Sequence, residues 1–503
     1  MFDFNPQGCG VLHFIGIGGI GMSGIAEALH TLGYDVQGSD VSSGYNTDRL
    51  IARGIRVFIG HDSNHITSTN GSSIAAVIVS SAIKPGNPEL LAARQIQIPI
   101  VRRADMLAEI MRHKKCISIA GTHGKTTTTS MVGAMLEAGG FDPTVINGGI
   151  IHAYGTTTRM GSGDIMVVES DESDGSFMRL PTHIAVVTNI DPEHMEHYGS
   201  FDAVRAAYRA FIENIPFYGF AVLCADHPEV KHLADTITDR RIFTYGCDTE
   251  NVDVRATDIV TTKDGATFNV IFSPRIAGTD RPEMITGFHL PMMGLHNILN
   301  ALVPLTIARA FNMSPESMIS AMATFQGVKR RFTKTGIVNG ITIIDDYAHH
   351  PIEIKATLKS ARQAVVGTNG RVIAVMQPHR YSRLASLFPE FCAAFDNADH
   401  VIVTDVYAAG EPPIDGISGQ ALVDGIARHG HQSATFLPTI DSATNTPFDA
   451  APIIHNLREK IAQIARQNDI ILCMGAGSIT TWAHALPEAL LPIENKKQNH
   501  ATS

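Results

Sequence analysis

The segment Ile117-Ser-Ile-Ala-Gly121-Thr122-His123-Gly124-Lys125-Thr126-Thr127-Thr128-Thr129 constrains this chain more than any other. A short apolar strand runs into a glycine turn, and a helix then opens on a lysine and a row of hydroxyls. That order makes a phosphate cradle. Backbone N–H groups and the positive end of a helix dipole face the anion, Lys125 brings a mobile charge, and the Thr126 hydroxyl suits Mg²⁺. The loop is a shortened variant, because Ile119 stands where the usual pattern has its first glycine. An ordinary strand-to-helix turn is the alternative. Gly, Lys and Thr in this order after an apolar strand favour the triphosphate, so the chain is expected to spend ATP.

At 503 residues the chain exceeds one compact core and suits three domains. Apolar residues make up 44% and charged residues 17%, a globular composition that can fill several cores. The formal charge of −10 argues against nucleic acid or an anionic membrane as partner, since neither is drawn to a net negative surface. Cys9, Cys116, Cys224, Cys247, Cys392 and Cys473 are scattered without pairs, which reads as reduced core thiols of a cytosolic protein. The N-terminus has no basic stretch leading into an apolar core, and no apolar run is long enough to cross a bilayer. A soluble, cytoplasmic protein is expected.

Val11-Leu-His-Phe-Ile15 runs into Gly16-Ile-Gly18-Gly19-Ile20-Gly21-Met-Ser-Gly24 and then a helical stretch, a Rossmann-like beginning. Val36 to Asp40 makes a second strand ending in an acid, and Ala75 to Val79 a later one ending at Ser80 and Ser81. Ligands of open α/β sheets sit at such strand ends. A charged break at His113-Lys-Lys115 sets the first boundary. Beyond it, Ile165 to Glu169 and Ile184 to Asn189 read as strands flanking the phosphate loop, and Ala266 to Phe272 as part of an antiparallel addition. Strands recur at Ile341–Asp345, Val372–Met376, His400–Thr404 and Ile470–Met474. The expectation is three α/β domains: 1–112, Rossmann-like; 113–328, P-loop-like with added β-strands; and 329–490, Rossmann-like again, with a polar tail over 491–503.

Gly16-x-Gly18-x-x-Gly21 satisfies the dinucleotide fingerprint, with Asp40 placed to hold a ribose hydroxyl. Read alone it allows an NAD-dependent dehydrogenase. The same turn can hold any diphosphate, however, and a second phosphate loop follows, so a different nucleotide diphosphate is preferred. The acidic cluster Glu169-Ser-Asp171-Glu172-Ser-Asp174 follows a strand and can supply oxygen ligands to a triphosphate-bound Mg²⁺. A solvated acidic loop is the bland reading. His194 stands among carboxylates in Asn189-Ile-Asp191-Pro-Glu193-His194, as ligand or as structural histidine. Asp345-Asp346-Tyr347-Ala-His349-His350-Pro351 offers either ligands or a helix cap. In Pro378-His-Arg380-Tyr-Ser-Arg383 two arginines one turn apart can grip a carboxylate or phosphate, although a solvent-facing pair is the commoner fate.

Taken together, Gly16–Gly24, Gly121–Thr126, Glu169–Asp174, Leu295-His296-Asn297, Arg330-Arg331-Phe332, Asp345–Pro351, Pro378–Arg383 and Gly475-Ala-Gly477 resemble the Mur ligases, the ATP-dependent ligases that build the peptide of bacterial cell-wall precursors. The likeness covers nearly the whole chain. The paired histidines and Pro378-His-Arg380 favour the member that joins L-alanine to UDP-N-acetylmuramate. A carbamylated lysine of later members is not expected, since Met195 to Val230 holds no lysine.

The resemblance implies UDP-sugar contacts from Gly18, Gly19, Ile20, Gly21, Asp40, Ser80 and Ser81, and ATP contacts from Gly121 to Thr127, His296, Asn297, Asn300, Arg331 and Asp346. It implies Mg²⁺, with Mn²⁺ as a possible substitute, held by Thr126, Glu169 and His194. Lys125, Glu169, His194, Arg331 and His350 would serve catalysis, with His350, Arg380 and Arg383 facing the muramate carboxylate and alanine. A monomer or weak homodimer is expected.

Overall fold

A computed structural model describes residues 10–66, 73–80, 82–112, 114–151, 153–262, 265–441, 446–447 and 449–491. Ser81 and the tail from 492 onward, both assigned a place in the sequence reading, lie outside the described residues, as does Cys9. The chain divides into two compact units. The first is Met1–Asp258, Phe268–His289 and Leu299–Val328, and the second Ile259–Thr267, Leu290–Ile298 and Lys329–Ser503.

The first unit opens with a five-stranded parallel sheet in the order Arg56–Ile59, Val36–Asp40, Val11–Ile15, Ile74–Val79, Ile100–Arg102. Strand order reverses at Val11–Ile15, so a crevice opens beyond the carboxyl ends where the first glycine turn lies. Val11, Ile15, Val77 and Leu90 pack one face. The helix Ile20–Thr31 leaves the turn and packs on Thr144–Ile151 and Thr156–Arg159. Gly24 permits that approach, because a Cβ there would lie 2.4 Å from the Thr158 hydroxyl oxygen.

The second sheet has ten strands. Lys115–Ala120 lies at its heart, parallel to Ile184–Val187 on one side and Ile165–Glu169 on the other. The strands are short and almost wholly buried, as befits a parallel sheet covered on both faces. Strands Val254–Thr262, Gly265–Phe272 and Glu283–Leu290 extend its far edge, in agreement with the expected β addition.

The second unit carries a six-stranded sheet ordered Thr333–Val338, Ile341–Asp346, Ile470–Met474, Val372–Met376, His400–Thr404, Ala434–Leu437. Alternation decides which core each residue enters. Ile344, Ala374, Met376, Val403 and Leu472 enter one core, and Ile343, Ile373, Val375, Ile402 and Cys473 the other, with Trp482 and Leu486. The described cysteines Cys116, Cys224, Cys247, Cys392 and Cys473 are all free thiols, and all but Cys392 are buried. Among the described residues no helix is long and apolar enough to cross a membrane.

Candidate active site

The phosphate loop departs from Ala120 through Gly121, at φ +133°, and reaches the helix Lys125–Ala138 through Gly124, at φ +83°. Side chains are excluded at both glycines. A Cβ on Gly121 would lie 2.1 Å from Thr188 Oγ1, and one on Gly124 would lie 2.7 Å from Asn300 Oδ1. The neighbouring strand end fixes the loop: the His123 amide donates to Asn189 Oδ1 at 2.7 Å, and the Asp191 amide donates to Thr122 Oγ1 at 2.8 Å. Asp191 in turn lies 3.3 Å from His123 Nε2 and 3.5 Å from His227 Nε2. Burial alone would push the Asp191 carboxyl up, but these two imidazoles hold it well below its ordinary value.

Lys125 curls over the loop, donating to the carbonyl oxygens of Gly121 at 2.6 Å and Thr122 at 3.2 Å and to Glu172 Oε1 at 2.8 Å. Burial opposes its charge, yet Glu172, Glu169 and Asp171 around it raise the ammonium above its usual value. It stays cationic. Thr126 Oγ1 donates to Glu169 Oε1 at 3.2 Å, and the other Glu169 oxygen accepts from the Gly148 amide at 2.7 Å. Two of the expected metal ligands therefore stand together. His194, at φ +57°, instead lies 3.8 Å from both Glu172 and Glu193, and these three could hold a cation. The Thr126 hydroxyl and the Glu169 carboxylate are oxygen donors of the kind that Mg²⁺ carried by a triphosphate takes. Glu172 adds a second indication, since its Oε2 is buried with no hydrogen-bond partner among the described residues.

At the first glycine turn, the Gly18 amide donates to Asp40 Oδ2 at 2.8 Å, and Asn46 Nδ2 donates to the Gly18 carbonyl at 2.8 Å. Ile20 is exposed beside Gly19, and Ser80 sits half-buried at the end of its strand. One cluster here had no sequence signal. Glu89, whose side chain is fully buried, accepts from Ser39 Oγ at 2.5 Å, lies 2.6 Å from His65 Nδ1 and 3.2 Å from His61 Nδ1, and faces His13 Nε2 at 3.7 Å. Its other members lie 24 to 76 residues before Glu89 in sequence, so only folding brings them to it.

In the second unit, Asp346 ends its strand buried, accepting from the amides of Phe332 and Ala348, each at 2.7 Å. Burial raises its carboxyl to about 6 against the pull of Arg331. The guanidinium carbons of Arg330 and Arg331 lie 4.7 and 5.3 Å from the centre of the Tyr347 ring. Arg331 is flanked by two left-handed residues, Arg330 at φ +61° and Phe332 at φ +51°. His350 does cap the helix Pro351–Val365: its Nδ1 accepts from the Ile352 amide at 3.4 Å, and the His350 amide donates to Glu353 Oε2 at 3.2 Å. Arg380, also left-handed, is 3.9 Å from Glu411, and Arg383 follows one turn later, half-buried. His296 and Asn297 open the helix Leu295–Ala310, where Asn297 Nδ2 donates to the Met293 carbonyl at 2.8 Å. A cavity of 540 Å³ lies beyond the carboxyl ends of four strands of this unit, lined by Gln377, Asp405, Tyr407, Thr439, Ser478 and Trp482; none of these stood in the sequence assignment.

Comparison with known proteins now bears on these sites. The chain matches the description "Mur ligase family, catalytic domain" over residues 11–115, "Mur ligase middle domain" over 119–308, and "Mur ligase, glutamate ligase domain" over 330–477. It is 54% identical over 487 residues to the UDP-N-acetylmuramate--L-alanine ligase of Bradyrhizobium diazoefficiens, covering 96% of this chain and 98% of that relative. Against the protein of the same name from Xanthobacter autotrophicus it is 54% identical over 490 residues, covering 97% and 99%. The solved UDP-N-acetylmuramate-alanine ligase MurC of Thermotoga maritima superposes with a TM-score of 0.76 at 27% identity, covering 97% of this chain and all of that one. A murein peptide ligase of Psychrobacter arcticus, at 23% identity and a TM-score of 0.67, shares the fold. The first glycine turn is thus accounted for without a dehydrogenase: the chain belongs to the Mur ligase family.

Proposed function

We infer that the chain joins L-alanine to the lactyl carboxylate of UDP-N-acetylmuramate, spending ATP and yielding UDP-N-acetylmuramoyl-L-alanine, ADP and phosphate for peptidoglycan synthesis. The observation that carries it is Lys125 folded over Gly121–Gly124 beside the Thr126–Glu169 pair, in a chain 54% identical to relatives of that name. A carboxylate oxygen of the sugar acid attacks the γ-phosphorus, the bond to ADP breaks, and an acyl phosphate results. The alanine amine then adds to the acyl carbon, phosphate leaves, and the amine gives up a proton.

Negative charge builds in both steps, so a cation fixed in advance lowers both barriers. Lys125 faces the phosphates and Arg331 the developing charge. Mg²⁺ held by Thr126, Glu169 and His194 would neutralise charge on the phosphate oxygens, with Mn²⁺ as a substitute. Asn300, His296, Asn297 and Asp346 serve the nucleoside, while Gly18 to Gly21, Asp40, Ser80 and Ser81 serve the UDP moiety. His350, Arg380 and Arg383 face the muramate carboxylate and alanine.

The proposed domain limits are 1–112, 113–328 and 329–490. The first falls between the strand Ile100–Arg102 with its helix Arg103–Met111 and the strand Lys115–Ala120. We place the protein in the cytoplasm, as a monomer or weak dimer without nucleic-acid or membrane partners.

Two tests follow. Phosphate release should require UDP-N-acetylmuramate, and among amino acids alanine should give amide; hydrolysis independent of the sugar would favour a plain ATPase. Gly121→Ala should weaken ADP binding roughly ten-fold or more by calorimetry, since the loop must abandon its left-handed turn at a cost of about 1–3 kcal/mol.

A further inference from the structure

Arg103 begins the helix Arg103–Met111, directly after the edge strand of the five-stranded sheet. Its guanidinium touches two features of the first unit that are distant in sequence. Nη1 would lie 2.8 Å from a Cβ placed on Gly21, so this edge rests against the opening turn of the helix Ile20–Thr31, where the diphosphate is proposed to sit. Nη2 donates to Asp171 Oδ2 at 3.3 Å. Asp171 belongs to the acidic loop that also carries Glu172, the partner of Lys125.

The field of Asp171 reaches Lys125, where it is among the carboxylates that favour the ammonium. Burial acts against the Asp171 charge, but the Ser173 amide, Lys125 and Arg103 together keep its carboxyl below the ordinary value. An ion pair with one partner 45% exposed adds little stability, so the pair's position matters more than its strength. The planar fork of arginine can serve two acceptors on different edges at once, which a lysine ammonium on a flexible stem cannot do in the same fixed geometry.

We propose that Arg103 is a positioning residue that couples the UDP-sugar turn to the phosphate loop. A diphosphate seated on Gly16–Gly21 engages one edge of the guanidinium and pins the other edge on Asp171. The carboxylate then repels the triphosphate at Lys125 less strongly. Each nucleotide therefore binds better when the other is present. This rests on the function inferred above and adds to it a route by which the two nucleotide sites communicate.

The test is calorimetry on the full chain, titrating UDP-N-acetylmuramate with and without a non-hydrolysable ATP analogue and Mg²⁺. Wild-type protein is expected to bind the sugar nucleotide roughly five-fold or more tightly with the analogue present, and reciprocity requires the same factor for the analogue. Arg103→Lys and Asp171→Asn should each bring the factor to about one, and the double variant should change nothing further, because both act through a single contact. Asp171→Asn alone should also bind the analogue without sugar as tightly as wild type does with it.

A factor unchanged in either variant overturns the proposal. So does a loss in Arg103→Lys that is equal with and without the analogue, which would mark a plain ligand contact. Should Arg103→Lys fail to fold, Asp171→Asn decides alone. Wild-type protein that binds no UDP-N-acetylmuramate would refute the function itself, whereas uncoupled binding refutes only the role of Arg103.

Discussion

Lys125→Ala is expected to lower phosphate release by roughly 10³-fold, the scale on which a pre-positioned positive group stabilises phosphoryl transfer. The sequence motif alone would leave folding untouched by this change. The structure adds a second effect. Glu172 is buried and takes its 2.8 Å bond from Lys125, so truncation strands a carboxylate in the interior. Breaking a buried pair in this way costs about 3–5 kcal/mol. Burial already pushes the Glu172 carboxyl up, with Lys125 opposing, so protonation would recover part of that cost in the variant.

The two effects separate in a double variant. Lys125→Ala with Glu172→Gln should regain most of the stability, read by urea unfolding, while turnover stays absent in a coupled phosphate assay. Turnover at the wild-type rate in the single variant would remove Lys125 from the mechanism. Unchanged unfolding in the single variant would mean that the Glu172 pair contributes nothing to stability.

Glu89→Gln should destabilise the protein by about 3 kcal/mol at pH 7. Burial would push this carboxyl up, but the facing His13 imidazole and the bonds from Ser39 and His65 outweigh it and bring the group down to about 2 from 4.5. The folded-state value lies below the unfolded one, so the stabilisation is present above pH 4.5 and is lost as pH falls from 4.5 toward 2. The drop from 4.5 to about 2, at about 1.36 kcal/mol for each tenfold change in proton affinity, gives the stated size. Wild type and variant should therefore differ clearly in urea midpoint at pH 7 and converge only near pH 2. Equal midpoints at pH 7 would show that His13, Ser39 and His65 do not stabilise the carboxylate.

Sequence patterning located the buried strands well because parallel strands covered on both faces are continuous aliphatic runs. Ile165–Glu169, Val372–Met376, His400–Thr404 and Ile470–Met474 begin and end where expected. Thr144–Ile151 and Thr156–Arg159 escaped notice, the first broken by Gly148 and Gly149, the second made of threonines and an arginine. Their place in the sheet comes from pairing, Thr144–Ile151 with Ile165–Glu169 and Thr156–Arg159 with Thr144–Ile151, which no local pattern announces.

The phosphate loop was legible because its chemistry is contiguous in the chain. Partners that meet only through the fold were not: Lys125 with Glu172, 47 residues apart, and Arg103 with Asp171, 68 apart. The capping role of His350 was one of two open readings, and the structure shows that cap in place.

The enclosed thiols carry a practical corollary. Desolvation lifts Cys116 and Cys247 to about 12 and Cys224 to about 11, and it raises Cys473 as well. Nucleophilic sulfur is the deprotonated form, so these four offer almost none of it to electrophiles near neutrality. Inhibitors with alkylating warheads gain no foothold on them, and a reporter dye could be attached through one engineered surface cysteine without first stripping these four from the chain.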